Sequence, residues 1–452
     1  MLRRDWAPLV GSFVVALVGA TAVRLLPATE LAAWPLLAVV GVAAGAVAGQ
    51  PARVWLALAG CAVAELIVIL GNGDPGGPFW CLAFGGRLVV VFVFGVLGGA
   101  AGSSPRGLAR GWRLATLGIV IACLIGLTGY LGYAFARSDE YLVQAGEGDC
   151  GNPMSAYGWT YQAINYDQAD DARLLATHPD PRHCYVGNVK DNGPDQGEKA
   201  GTDVVSSDGI HLAGWYIPAA NGEPPTGPTL VLVHGGRDNK SGMLKYAAPL
   251  HPDYNLVLLD LRNQGRSTGD ASSGGLLEAG DLRAMIDWLE RTKHPSWLGL
   301  VGNSNGAATV LAEVVDDQRP QAIVLDSMHA SVIAQLGNVA ETENGFPAWP
   351  SAWALVSGAS WRLGVDITAA DPVRTITRVG DRPVLLLHGL LDTVDRPADS
   401  LERNVAAALA AGVDVEVHVC PTGAHGTVID QCPVAWADWT THFLAVARGV
   451  TS

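Results

Sequence analysis

Residues Leu298 to Gly306 read LGLVGNSNG and run on into AATVLAEVV. A short apolar stretch breaks at Gly302-Asn303-Ser304-Asn305-Gly306, and a pattern of helical period follows. That order predicts a strand, a tight turn carrying a serine, and a helix, the setting in which Gly-x-Ser-x-Gly has mechanical meaning. Glycine on either side of Ser304 lets the backbone turn without a clashing Cβ, so the hydroxyl stands clear of the sheet edge. With 55 glycines in 452 residues the bare pattern is weak, and its weight comes from the segments around it.

Those segments repeat one rhythm. DVVSSDGIHLAGWYIP alternates around Asp208-Gly209 and predicts a hairpin. Short apolar runs follow: TLVLVHGG, NLVLLDLR, LGLVGNS, QAIVLDS, PVLLLHG and VEVHVC. Strands apolar on both faces and alternating with helices imply an α/β domain with a mostly parallel sheet covered on both sides. Helices are expected near 278–292, 304–317, 399–411 and 434–448. In such sheets reactive residues collect at the carboxyl ends of the strands.

Upstream the composition changes. Residues 1–136 are almost uninterrupted apolar sequence with eight Arg and four acidic residues; the rest of the chain holds 21 basic and 39 acidic residues. A part that acidic excludes nucleic acid as a partner. The apolar part resolves into about five runs near 8–27, 31–49, 52–71, 79–102 and 112–136. Each is long enough to cross a bilayer, which takes about 20 residues. Arg3 and Arg4, Arg53, and Arg106, Arg110 and Arg113 all fall on one side of such a bundle. By the positive-inside rule the N-terminus is cytoplasmic and everything after Ala136 lies outside. A cleaved signal peptide over the first run is the alternative, and it does not improve the charge pattern of the other loops. The organisation expected is a transmembrane bundle over 1–136, an extracytoplasmic connecting subdomain over 137–201 and the α/β domain over 202–452. In the connecting part, Tyr157, Tyr161, Ile164 and Leu174 fall at intervals that fit a helix docking on the main domain.

Cysteine usage agrees with that orientation. Cys61, Cys81 and Cys123 sit within the apolar runs, whereas Cys150, Cys184, Cys420 and Cys432 lie in the exterior part. Their proximity in sequence pairs Cys150 with Cys184 and Cys420 with Cys432. The spacing fits no metal site. Glu65 and Arg87 fall inside runs, where an interhelical ion pair or a transport or lipid-binding role would explain them.

The hairpin, the His234-Gly235-Gly236 turn, DLRNQGRSTG, the Ser304 elbow, HGLLDTVD and finally Gly423-Ala424-His425-Gly426 resemble an α/β-hydrolase domain of the serine esterase, lipase and aminopeptidase-like kind. The resemblance runs from about Thr202 to the C-terminus. Within the superfamily it is greatest to bacterial membrane-anchored hydrolases with a multispan N-terminus. It implies Ser304 as nucleophile, His425 as base and Asp392 as the acid that orients the imidazole, in the chain order this fold uses. Asp395 and Asp326 are the competing acids. The same resemblance implies an oxyanion hole from the N–H groups of Asn305 and Gly236, with His234 and Asp260 structural. Ala307 stands where many relatives have a second glycine.

An insertion between His329 and Asp371, rich in Trp and Pro (Phe346, Trp349, Trp353, Trp361), is expected to form a cap. Its aromatics would line an apolar pocket or pack the cap on the sheet. The function expected is a membrane-anchored extracytoplasmic serine hydrolase acting on a small-molecule or lipid ester beside the lipid bilayer, without a cofactor. A peptidase or amidase, a non-catalytic hydrolase-fold scaffold on a functional membrane bundle, and a transporter are the alternatives.

Overall fold

The computed structural model describes residues 128–135, 138, 147–148, 151–177, 184–185, 200–342 and 347–450, together with Val14. The expected spans, apart from Val14 and the end of the fifth, lie outside the described residues, as do Glu65, Arg87, Phe346 and the Cys150–Cys184 pairing. Among the described residues no helix is long and apolar enough to cross a membrane. The chain divides into two compact units, Met1–Ala134 and Phe135–Ser452.

The second unit is built on one eight-stranded sheet: β1 (Gln162–Ile164), β2 (Gly214–Ile217), β3 (Thr229–Val233), β4 (Asn255–Leu259), β5 (Leu298–Asn303), β6 (Ala322–Asp326), β7 (Val384–Gly389) and β8 (Val415–Cys420). Their order across the sheet is β1-β2-β4-β3-β5-β6-β7-β8. The first two strands pair antiparallel, and every pair from β4 to β8 is parallel. The intervening helices are α1 (Glu278–Thr292), α2 (Asn305–Val314), α3 (Val332–Thr342), α4 (Ala348–Leu363), α5 (Leu401–Ala410) and α6 (Pro433–Ala447).

Side-chain alternation along each strand creates two cores. Val231, Val233, Val257 and Leu259 point to one face, where they pack with Leu282, Ile286 and Leu289 of α1 and Val310 and Val314 of α2. Leu230, Leu232, Leu256 and Leu258 point to the other, against Trp436, Phe443 and Leu444 of α6. The inner strands therefore had to be apolar throughout, which is why their runs are legible in the sequence. This is the α/β-hydrolase arrangement, and the four expected helices are present within one to three residues of their expected bounds.

One local expectation is met in reduced form and another fails. The hairpin around Asp208-Gly209 is short: Val205 bridges His211 antiparallel, the Ser206 N–H donates to the Ile210 carbonyl at 2.8 Å and the Leu212 N–H to the Val204 carbonyl at 2.9 Å, and only the chain beyond its second arm becomes a sheet strand. The aromatic stripe near 157–174 is not one helix. Pro153–Tyr157 is a five-residue helix opened by an Asn152 capping box and closed by Gly158 in the left-handed region, φ 70°. The chain then forms edge strand β1 and a second short helix, Ala169–Thr177. The side chains divide accordingly. Ile164 enters the core, and the hydroxyls of Tyr161 and Tyr166 donate to Asp171 at 3.0 and 2.8 Å.

Helices α3 and α4 occupy the insertion between β6 and β7. They share a small core of Val332, Leu336, Ala352, Val356, Ala359 and Ile367. The three described tryptophans of the insertion take no part in it and are exposed.

Candidate active site

Ser304 sits between the last residue of β5 and the first of α2 with φ 51° and ψ −120°, a backbone state costly for a residue with a side chain. The neighbouring glycines make the turn feasible. A Cβ on Gly302 would collide with Gly306 and Ala307, and one on Gly306 with the carbonyl oxygens of Val233 and His234. Ala307 is fully buried, so the start of α2 accommodates its one methyl beside the elbow. The Ser304 N–H donates to the Asp326 carbonyl at 2.8 Å, which ties the elbow to the neighbouring strand.

Three loops at the carboxyl edge of the sheet converge on this serine. His425 Nε2 lies 2.8 Å from Ser304 Oγ. His425 Nδ1 lies 2.9 Å from Asp392 Oδ2. The other carboxylate oxygen of Asp392 accepts the N–H groups of Val394 and Asp395 at 2.9 and 2.7 Å, which fixes the carboxylate plane. The His425 loop is fixed in turn. A disulfide joins Cys420 at the end of β8 to Cys432 at the start of α6, spanning 12 residues around the imidazole. Gly423 packs against Gly389, the Leu391 N–H donates to the Gly423 carbonyl at 2.8 Å, and the Gly426 N–H donates to Ser327 Oγ at 3.2 Å.

The electrostatics favour a charged imidazole. Burial lowers the His425 pKa, but the Asp392 hydrogen bond and the charges of Asp395, Asp392 and Asp326 outweigh it, so the value is raised above 6.5. A proton received from Ser304 is therefore stabilised on His425, the requirement for a general base of this kind.

The competing acids have other partners. Asp326 accepts from Trp436 Nε1 at 2.9 Å and from Ser327 Oγ at 2.8 Å, and burial lifts its pKa to about 6. Asp395 comes nearer: its Oδ2 is 3.6 Å from His425 Nδ1 and accepts Gln335 Nε2 of α3 at 3.0 Å. Burial first, and repulsion by Asp392 as well, raise its pKa to about 7, against a lowering by His425. Asp392 is thus the hydrogen-bonded acid and Asp395 a second carboxyl behind it.

His234 turns away from the serine. Its Nε2 accepts the Leu261 N–H at 3.1 Å, and Nδ1 lies 2.7 Å from the Gly235 carbonyl. Asp260 accepts Lys240 Nζ at 2.5 Å and the Arg266 N–H at 2.9 Å, and its carboxylate fills the space that a Cβ on Gly265 would need. Asn305 opens α2 directly after Ser304. A Cβ on Gly235, the residue before Gly236, would stand 3.2 Å from Ser304 Cβ, so the turn that carries Gly236 lies against Ser304. Gln335, Trp436 and the Gly389–Gly423 contact were not found from the sequence. Each acts across 30 or more residues of chain, and none belongs to a local motif. No group of three or more His, Cys, Asp or Glu among the described residues could hold a metal ion.

The uncharacterized protein YfhR of Salmonella typhi is 32% identical to this chain over 225 residues, 46% of this chain and 70% of that protein. The uncharacterized protein Rv2307c of Mycobacterium tuberculosis is 32% identical over 216 residues, 46% of this chain and 68% of that protein. No family model matches the chain. Among solved structures, the Pyrococcus furiosus esterase Pf2001 is 21% identical with a TM-score of 0.44, covering 53% of this chain and 89% of that one. A membrane phospholipase A is 17% identical with a TM-score of 0.40, covering 54% and 85%.

Proposed function

The chain belongs to the YfhR family, and we propose that it is a membrane-anchored serine hydrolase that cleaves a carboxylic ester through an acyl-enzyme. The observation that carries this reading is the pair of contacts on His425, 2.8 Å to Ser304 Oγ and 2.9 Å to Asp392 Oδ2. Ser304 Oγ attacks the ester carbonyl and passes its proton to His425 Nε2. The N–H groups of Asn305 and Gly236 receive the developing oxyanion. His425 then gives the proton to the departing alkoxide, which leaves as the alcohol. Water, deprotonated by the same imidazole, attacks the acyl carbonyl and frees Ser304. Asp392 keeps the imidazole in the tautomer that points its lone pair at the serine. The cycle needs no cofactor.

The distribution of arginines supports a cytoplasmic N-terminus with the catalytic domain outside. The Cys420–Cys432 bond is consistent with that side, since disulfides persist in oxidising compartments. A domain tethered by an apolar segment acts beside the bilayer, which favours an ester of a lipid or of the cell envelope.

The test is pre-steady-state hydrolysis of a nitrophenyl butyrate by the full chain in detergent. A burst of nitrophenol matching the enzyme concentration, absent in Ser304→Ala, is expected. Hydrolysis undiminished in Ser304→Ala would exclude the mechanism.

A further inference from the structure

The segment Ala348–Leu363 carries three largely exposed tryptophans: Trp353 and Trp361 on helix α4, and Trp349 at a break in its first turn, φ −103° and ψ 132°. Trp349, Trp353 and Trp361 are 78%, 54% and 73% exposed. Trp353 and Trp361 are eight residues apart, so on an α-helix their directions differ by only about 80°. The cap core is met by another side of the helix, through Ala352, Val356 and Ala359. Single exposed apolar residues are ordinary, but two exposed tryptophans on one helix with a third at its start mark a contact surface. The charge pattern is as selective. AWPSAWALVSGASWRL contains no carboxylate and one cation, Arg362, in a part of the chain that is otherwise strongly acidic.

The chain itself indicates what meets this surface. Phe135, the next-to-last residue of the apolar run over 112–136, belongs to the same compact unit as α4. The Phe135 ring packs on Trp361 with centroids 5.8 Å apart. Arg362 donates to the Phe135 carbonyl at 3.1 Å and to Ser138 Oγ at 2.5 Å. The approach is close enough that a Cβ on Gly358 would stand 2.6 Å from the same carbonyl oxygen. The C-terminal end of α4 is therefore fixed to the point at which a run of membrane-spanning length stops. Residues at such a point lie in the interfacial layer of a bilayer, where tryptophan and arginine are enriched and carboxylates are disfavoured.

We infer that α4 is a membrane-docking helix whose tryptophan-bearing side lies in the interface of a phospholipid bilayer, turning the cap toward the lipid. Trp361 and Arg362 fix the end nearest the apolar run, Trp353 extends the contact along the helix, and Trp349 adds to it at the broken first turn. Docking does not depend on hydrolase activity. Its consequence for catalysis, a preference for esters that reside in the bilayer, rests on the proposed function.

The experiment places the full chain in phosphatidylcholine vesicles with and without brominated acyl chains. Tryptophan emission is compared between the wild type and a chain carrying Trp349→Phe, Trp353→Phe and Trp361→Phe. The emission lost on substitution is expected to be quenched by the bromolipid and shielded from aqueous iodide. A component quenched by iodide and untouched by bromolipid overturns the docking. A component shielded from both points to a second copy covering α4 and overturns it equally. The catalytic consequence is read with Trp361→Ala. Hydrolysis of a long-chain ester in vesicles should fall about ten-fold while a water-soluble butyrate ester is unaffected. Equal rates on both esters, or equal losses, overturn the preference. Wild-type chain inactive on both esters would count against the hydrolase reading and leave the quenching result to stand.

Discussion

Asp395 Oδ2 lies 3.6 Å from His425 Nδ1, the nitrogen that Asp392 Oδ2 reaches at 2.9 Å. Two carboxyl groups therefore flank one imidazole, and only the nearer is hydrogen-bonded to it. Asp392→Asn should lower kcat/KM by about 10³ to 10⁴, because the amide favours the wrong tautomer. Asp395→Asn should cost far less. A larger loss from Asp395→Asn than from Asp392→Asn would reverse the assignment.

Asp395 also makes a pH prediction. Its pKa in the folded domain is about 7, above the ordinary 3.8. Between those values the folded chain binds more protons than the unfolded one. This group's contribution to stability is thus full below the ordinary carboxylate range and is lost as pH rises through about 7. Asp395→Asn should flatten that part of the stability profile. It should also move the acidic limb of catalysis, where activity rises as His425 loses its proton: the Asp395 charge raises the His425 pKa, so its removal shifts that limb of kcat/KM to lower pH. Thermal melts and a pH–rate profile of the two proteins check both statements, and coincident profiles would contradict them.

Gly306 is required by contact and not by backbone angle, since a Cβ there meets the carbonyl oxygens of Val233 and His234. Gly306→Ala should destabilise the domain by about 1 to 3 kcal/mol, as overpacking does. Urea unfolding with an unchanged midpoint would show that the elbow relaxes instead.

Trp436 donates to a fully buried Asp326. Trp436→Phe leaves that carboxyl oxygen without its indole partner, at a cost of about 1 to 3 kcal/mol. Ser304 should remain reactive, because Asp326 touches the elbow through its backbone carbonyl. Loss of reactivity without loss of stability would place Asp326 nearer the chemistry.

The Cys420–Cys432 bridge closes a short loop around His425. Replacing both cysteines with serine should cost about 2 to 4 kcal/mol in the oxidised protein. Calorimetry of the variant beside wild type measures it, and equal melting temperatures would deny the bridge a stabilising part.

The elbow, the parallel strands and the places of Ser304 and His425 at strand ends were legible because local rules write them. Two-sided burial forces continuous apolar runs, and a sharp turn forces glycine. Edge strand β1 was not legible, since three residues, Gln162 to Ile164, carry too little period to outweigh the aromatics around them. The Asp208-Gly209 turn was legible, but not its tertiary anchor, Arg262, which meets Asp208 at 2.7 Å and Asp281 at 2.7 Å. The choice among three aspartates was unreadable, because it depends on which carboxylate the chain leaves unoccupied. Asp326 is held by Trp436, Asp395 by Gln335, and Asp392 keeps one oxygen for His425.

The central claim is that His425 activates Ser304 as a nucleophile. Fluorophosphonate labelling of the detergent-purified full chain, with Ser304→Ala and His425→Ala beside it, tests this most directly. Stoichiometric labelling of the wild type is expected, with none in Ser304→Ala and strongly slowed labelling in His425→Ala. A folded, disulfide-intact wild type that takes no label, or a Ser304→Ala chain that labels as well as wild type, would contradict it.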